Sequence, residues 1–121
     1  ERNAFGKPIG SYQAVAFKCA DLAVMAEQAR NITYHAAWLK DQGKPFKHEA
    51  AMAKLYATDT AQATIDKAVQ LFGGAGVARG NMVERLYREV RALRIYEGAS
   101  EVQKVVIARA AIADFQAGAK T

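Results

Sequence analysis

Of the carboxylates in this 121-residue chain, Glu97 is the one whose neighbours suggest chemistry. It lies in the run from Arg94 to Gln103, R-I-Y-E-G-A-S-E-V-Q, behind the apolar-aromatic pair Ile95 and Tyr96 and ahead of Gly98. Glycine there lets a backbone or a ligand approach closely. Ser100 and Gln103 have the S-x-x-Q spacing of a capping box, which predicts a helix start at that point. Val102, Val105, Val106 and Ile107 carry the helix onward. Glu97 therefore belongs to a turn just before a helix. Two roles follow: a base, or an ordinary anion set against the positive end of the helix dipole.

Other chemistry is sparser. Gly73-Gly74-Ala75-Gly76 follows a helical pattern rather than a strand, so it is neither a Rossmann turn nor a Walker loop. It can stop a helix with Gly73 or Gly74 in the left-handed conformation, or present bare backbone N–H groups to a flat or phosphorylated ligand. Arg2 and Phe5, a planar cation and an aromatic before Gly6, could hold a phosphate and a ring, or serve as surface and apolar anchor. His35 and His48 fall on different helices without metal-ligand spacing, so no metal site is expected. Cys19, the single cysteine, lies on an apolar seam and reads as a buried, inert thiol.

These residues need elements to hold them. Residues 1 to 11 contain Gly6, Pro8 and Gly10 and read as a loop leading to Ser11 as N-cap. From Tyr12 to about Asp41, Val15, Cys19, Leu22, Ala26, Ala29, Thr33 and Ala36 recur at three-four spacing, predicting a helix roughly 45 Å long. Gln42-Gly43-Lys44-Pro45 ends it. A second helix spans about Lys47 to Phe72, burying Ala51, Leu55, Thr58, Ala61, Ile65, Ala68, Val69 and Phe72. A short third covers about Met82 to Arg91, with Val83, Leu86, Tyr87 and Val90 inward, and a fourth covers about Ser100 to Phe115, with Gly118 opening a polar tail. No segment alternates with period two. The expected fold is all-α, an up-and-down helical bundle of two long and two shorter helices in a single domain, 1–121.

Composition agrees with a globular domain: 51% apolar and 24% charged residues. The net charge of +5 raises nucleic acid as a partner. Its cations are dispersed, and Arg79, Arg85, Arg88, Arg91 and Arg94 are interleaved with Glu84 and Glu89, so a solvated or locally ion-paired face is expected and no nucleic acid. No apolar run approaches the length of a membrane span. The chain begins at Glu1 without a Met and is read as a segment of a longer protein.

In order, these segments resemble the C-terminal helical domain of the acyl-CoA dehydrogenase family over essentially the whole chain. The resemblance runs through Arg2-x-x-Phe5-Gly6-Lys7-Pro8-Ile9 and Gln13, then Gln70-Leu71-Phe72-Gly73-Gly74-x-Gly76. It continues through Val83-Glu84-Arg85-x-Tyr87-Arg88-Glu89 to Ile95-Tyr96-Glu97-Gly98-Ala99-Ser100-Glu101-Val102-Gln103. It implies a three-domain, FAD-dependent oxidoreductase of fatty acid metabolism that oxidises the Cα–Cβ bond of an acyl-CoA. Glu97 matches the α-proton base. Tyr96 and Gly98 would contact substrate, and the Glu97 backbone N–H would help hold the thioester oxygen. The resemblance assigns Arg2, Phe5, Gln13, Gln70, Leu71, Phe72, Gly73 and Gly74 to the FAD, through the adenosine-diphosphate portion bound by a neighbouring subunit. Ala99, Ser100 and Glu101 would meet the FAD of their own chain. Ala99 replaces the family's usual threonine, and Glu89 its common aspartate, so a hydroxyl contact is missing at Ala99.

The resemblance further implies a homodimer or homotetramer, an electron-transfer flavoprotein as acceptor, and a cytoplasmic or mitochondrial-matrix location. An acyl-CoA oxidase or related flavoprotein shares the base and is the alternative enzyme. A non-catalytic helical assembly module is the alternative outside catalysis. The 121 residues alone are expected to fold without dehydrogenase activity and with little FAD affinity.

Overall fold

The computed structural model describes residues 2–118, so the tail beyond Gly118 lies outside them. Four helices dominate: α1 (Gln13–Asp41), α2 (Lys47–Phe72), α3 (Met82–Leu93) and α4 (Ser100–Gly118). The bundle is all-α apart from one small hairpin. Helix α4 runs on through Gly118, past the polar tail expected to start there.

Helix α2 is the centre of the fold. Helices α1, α3 and α4 each take it as their main neighbour, as does the 3-10 helix Gly73–Val77 that follows it. Its composition explains this: Ala51 and Ala53 are buried, as is Thr60, and small side chains let several helices approach closely. Helix α1 returns against α2 across the 42–46 connection, closed by hydrogen bonds from Gly43 N–H to Lys40 O and from Lys44 N–H to Leu39 O. Tyr56 Oη donates to Gln28 Oε1 and fixes the antiparallel register.

Several local expectations are corrected. Residues 3–8 form a hairpin, β1 (Asn3–Ala4) against β2 (Lys7–Pro8), turned at Phe5 (φ 53°) and Gly6 (φ 81°). Two consecutive left-handed residues make the tight two-residue reversal, and Tyr12 Oη ties it down by donating to Ala4 O at 2.8 Å. Ser11 is not the N-cap. Its hydroxyl turns back to Pro8 O at 2.7 Å, and Tyr12 occupies the cap position without a side-chain bond to the helix. On α1 the expected Val15, Leu22, Ala29 and Ala36 face inward, joined by Met25, Ile32 and Leu39, whereas Cys19, Ala26 and Thr33 are exposed. Cys19 is thus not a buried thiol. Alanine-rich helices offer several nearly equivalent seams, and the larger Leu, Met and Ile decide which one packs.

The core is thin. Among the described residues no large side chain is fully buried, while Phe17, Phe72, Tyr87, Val102, Val105, Ile112 and Phe115 are all exposed. A monomer of 13.1 kDa has an accessible area of about 6,400 Å² by the usual size scaling. This chain exposes 8552 Å². The excess, about 2,200 Å², is of the size large protein interfaces bury. No described helix is long and apolar enough to cross a membrane.

Candidate functional site

Helix α3 ends at Leu93, and its last turn is finished by Ile95 N–H and Tyr96 N–H, both bonded to Ala92 O at 2.9 and 3.2 Å. The chain then takes two successive left-handed residues, Glu97 (φ 56°) and Gly98 (φ 85°). Ser100 N–H reaches back to Arg94 O at 3.2 Å and closes the loop. Glycine adopts this conformation freely, but for glutamate it costs about 1–2 kcal/mol. Something must hold Glu97 there.

Helix α2 and the first turn of α4 provide the hold. Lys54 Nζ donates to Gly98 O at 2.7 Å, and Gln103 Nε2 donates to the same oxygen at 3.1 Å. Five residues further along α2, Asp59 Oδ1 accepts from Ser100 Oγ at 3.1 Å and pairs with Arg94 Nε at 2.6 Å. The Arg94 contact is an ion pair whose N–H is not aligned for a hydrogen bond. Both ends of the loop are thus fastened to α2. The capping box is not formed: Ser100 gives its hydroxyl to Asp59, and Gln103 turns its amide to Gly98 O rather than to the Ser100 backbone. Ser100 is already the first helical residue, and the Gln103 N–H that a serine cap would take is bonded to Ala99 O at 3.1 Å.

Glu97 and Tyr96 are exposed, and among the described residues no donor or cation pairs with the Glu97 carboxylate. The carboxylate therefore does not serve as a helix cap. The Glu97 and Gly98 N–H groups likewise meet no acceptor among the described residues. Beside the loop, Ala99, Ser100 and Glu101 join Arg91, Arg94 and Ile95 around an open cleft of about 230 Å³.

A second group gathers where α2 ends. Arg2 Nη1 donates to Leu71 O at 2.9 Å, and a Cβ added at Gly73 would collide with the Arg2 guanidinium. Gly73 (φ 62°, ψ −139°) has positive φ but not the left-handed helical conformation, because the chain goes directly into a 3-10 helix. Gly76 is buried, and a Cβ there would lie 2.6 Å from Val69 O. From the Gln28–Tyr56 level, fifteen residues along each antiparallel helix bring Gln13 level with Leu71. Arg2, Gln13 and Gln70 to Gly74 therefore share one end of the bundle. Phe5 does not join them through any contact; it is 96% exposed at the hairpin tip. A cation beside a turn without Cβ atoms suits a pyrophosphate.

The two groups lie apart on the bundle. Gly73 lies fourteen positions beyond Asp59 and nineteen beyond Lys54, about 21–29 Å at the rise of a helix. Lys54 and Asp59 escaped sequence reasoning. Their only signal was a cation and an anion interrupting the small-residue stretch of α2, with nothing to indicate partners more than forty residues away. Among the described residues no three potential metal ligands cluster. The basic face of α3 is locally paired, as expected, through Glu84–Arg88 and Arg85–Glu89.

Comparison with known proteins follows the same lines. The profile described as acyl-CoA dehydrogenase, C-terminal domain, matches residues 1–112. The chain is 47% identical over 109 residues to the probable acyl-CoA dehydrogenase YngJ of Bacillus subtilis, covering 90% of this chain and 29% of that protein. It is 50% identical over 107 residues to the mitochondrial short-chain specific acyl-CoA dehydrogenase of Bos taurus, covering 88% and 26%. The solved butyryl-CoA dehydrogenase from Megasphaera elsdenii superposes with a TM-score of 0.90 at 43% identity, covering 93% of this chain and 29% of that one. The chain thus spans less than a third of the length of these relatives.

Proposed function

The chain belongs to the acyl-CoA dehydrogenase family as its C-terminal helical domain, and we propose that, within a longer flavoprotein, it supplies Glu97 as the base that removes the α-proton of an acyl-CoA thioester. The observation that carries this reading is the loop geometry. Glu97 is held in left-handed backbone with its carboxylate free of protein partners and its own N–H unpaired among the described residues. A carboxylate in water is too weak a base for an α-proton. Bound substrate and neighbouring domains would exclude water here and raise its basicity, while the Glu97 N–H would donate to the thioester oxygen as negative charge develops. Gly98 would present bare backbone to the thioester beside the base, with the Gln103 amide in the place its side chain would take, and Tyr96 would supply an aromatic wall.

FAD, when bound, supplies the two-electron acceptor for the hydrogen leaving the β-carbon. Arg2 and the glycine turn would hold the pyrophosphate of one FAD, with Gln13 and Gln70 alongside. Ala99, Ser100 and Glu101 would lie against a different FAD, bound by their own chain. The distance along α2 supports this division between two cofactors, and so two copies are needed to complete each site. The excess exposed area supports the same assembly, a dimer or tetramer, together with docking onto the rest of the polypeptide. Electrons would then leave for an electron-transfer flavoprotein.

The test is anaerobic flavin reduction by acyl-CoA in the full-length protein. Glu97→Gln is expected to slow it by about 10²–10⁴-fold with FAD content unchanged. Reduction at the parent rate would refute the assignment.

A further inference from the structure

Glu97 occupies a backbone conformation that it would leave if released, and the structure contains the restraint. The residue that follows it, Gly98, has one carbonyl oxygen with two donors on it: Lys54 Nζ from α2 at 2.7 Å and Gln103 Nε2 from α4 at 3.1 Å. Two lone pairs with two donors leave that peptide plane a single orientation. Because the first donor is an ammonium, its bond is charge-assisted and stronger than an ordinary amide contact. The space around Gly98 is filled to match, since a Cβ there would strike the Gln103 amide.

We propose that Lys54 and Gln103 are positioning residues for Glu97, acting through the Gly98 carbonyl. This rests on the reading of Glu97 as the base. Holding the Gly98 carbonyl anchors the Gly98–Ala99 peptide, one residue beyond Glu97, and so limits how far the turn can unwind on that side, while Ile95 and Tyr96, bonded to Ala92 O, anchor the other side. Between these points Glu97 keeps φ at 56°, which sets both where its carboxylate starts and where its N–H points. Without the two donors the glutamate relaxes toward negative φ, and the carboxylate and the N–H swing apart. The base and the thioester donor are then no longer aimed at the same substrate. Lys54 and Gln103 touch neither substrate nor flavin in this account.

The experiment measures anaerobic flavin reduction by acyl-CoA in the full-length holoenzyme, with rate and half-saturation determined separately. Lys54→Met is expected to lower the limiting rate by about 10²-fold, the scale of an ångström-sized misplacement, with half-saturation and FAD content within about twofold of the parent. Lys54→Arg, which retains a cationic donor, recovers most of the rate. Gln103→Met removes the second donor without changing helix α4 and gives a smaller loss of the same kind. It carries the test by itself if Lys54→Met fails to retain flavin. A limiting rate equal to the parent's in a flavin-loaded variant overturns the proposal. So does a loss confined to half-saturation, or one that Lys54→Arg does not recover. Glu97→Gln measured in parallel separates the two claims: if it reduces flavin normally the base assignment fails, whereas if it is inactive and the Lys54 and Gln103 variants are normal only the positioning role fails.

Discussion

Asp59 and Ser100 are joined by a 3.1 Å hydrogen bond that runs from the middle of α2 to the first residue of α4. Ser100 is 3% exposed, so its hydroxyl has little access to water as an alternative partner. The same Asp59 oxygen faces Arg94, and one carboxylate thereby closes the loop that carries Glu97.

Removing the serine hydroxyl and removing the carboxylate should therefore differ. Ser100→Ala deletes one hydrogen bond and is expected to cost about 1 kcal/mol. Asp59→Ala also leaves a buried hydroxyl unsatisfied, and should cost about 1–3 kcal/mol. Arg94 and Asp59 are each about a third exposed, so their ion pair adds little to that difference. Denaturant unfolding of the full-length protein measures both. Equal losses would show that Asp59 is not the shared anchor.

Glu97 should show opposing effects on stability and chemistry. Replacing it with glycine relieves the left-handed strain while adding unfolded-chain entropy, for a net gain of up to about 1 kcal/mol. The same change removes the proposed base, and flavin reduction should be abolished. A midpoint that falls, against Glu97→Gln as reference, would contradict the strain.

The glycine turn gives a third comparison. Gly76→Ala places a methyl against the Val69 carbonyl, where backbone must shift, and should cost about 1–3 kcal/mol. Gly73→Ala forces a side chain into positive φ (62°) as well as against the Arg2 guanidinium, so it should cost about 1–3 kcal/mol too, and displacing that guanidinium should lower FAD content, which Gly76→Ala should not. Gly10→Ala, with nothing within 4 Å, is the neutral control for stability. Calorimetry and flavin absorbance of the purified holoprotein separate these outcomes.

Residues 1–121 expressed alone should show neither turnover nor stoichiometric flavin, since each proposed cofactor site has only part of its walls here. With so much apolar surface uncovered, the isolated chain should also associate as its concentration rises. Sedimentation with added FAD checks both. Tight flavin binding by a monomer would contradict the division into half-sites.

What the sequence revealed depended on how local the cause was. Helix ends marked by Gly43, Pro45 and Gly73 were readable because glycine and proline act on their own backbone. The turn at Glu97 was readable for the same reason, through Gly98. The hairpin was not, since Phe5 offers no sign that it will take positive φ. The expected capping box at Ser100 failed because the helix takes in Ser100 itself and Gln103 N–H bonds to Ala99 O, and no local pattern shows that the Ser100 hydroxyl goes to a residue forty-one positions away. Cys19 fell on a seam of which Val15, Leu22, Ala29 and Ala36 do face inward, but in an alanine-rich helix the bulkier Met25 and Ile32 shift the packed stripe away from Cys19. Arg2 and the glycines were recognised as a set only through the family resemblance; the structure adds that Arg2 rests on Leu71.

Helix α2 carries the Glu97 loop at one level and the glycine turn at another, with no break in the helix between them. Each residue of an α-helix advances the chain by about 1.5 Å and turns it by about 100°. A single insertion or deletion between Asp59 and Gln70 would therefore leave both proposed half-sites locally intact but rotate one by more than a quarter turn about the other. Substitutions in this stretch can be absorbed one side chain at a time. A change in its length cannot, which makes the residue count of α2 a more constrained property than its composition.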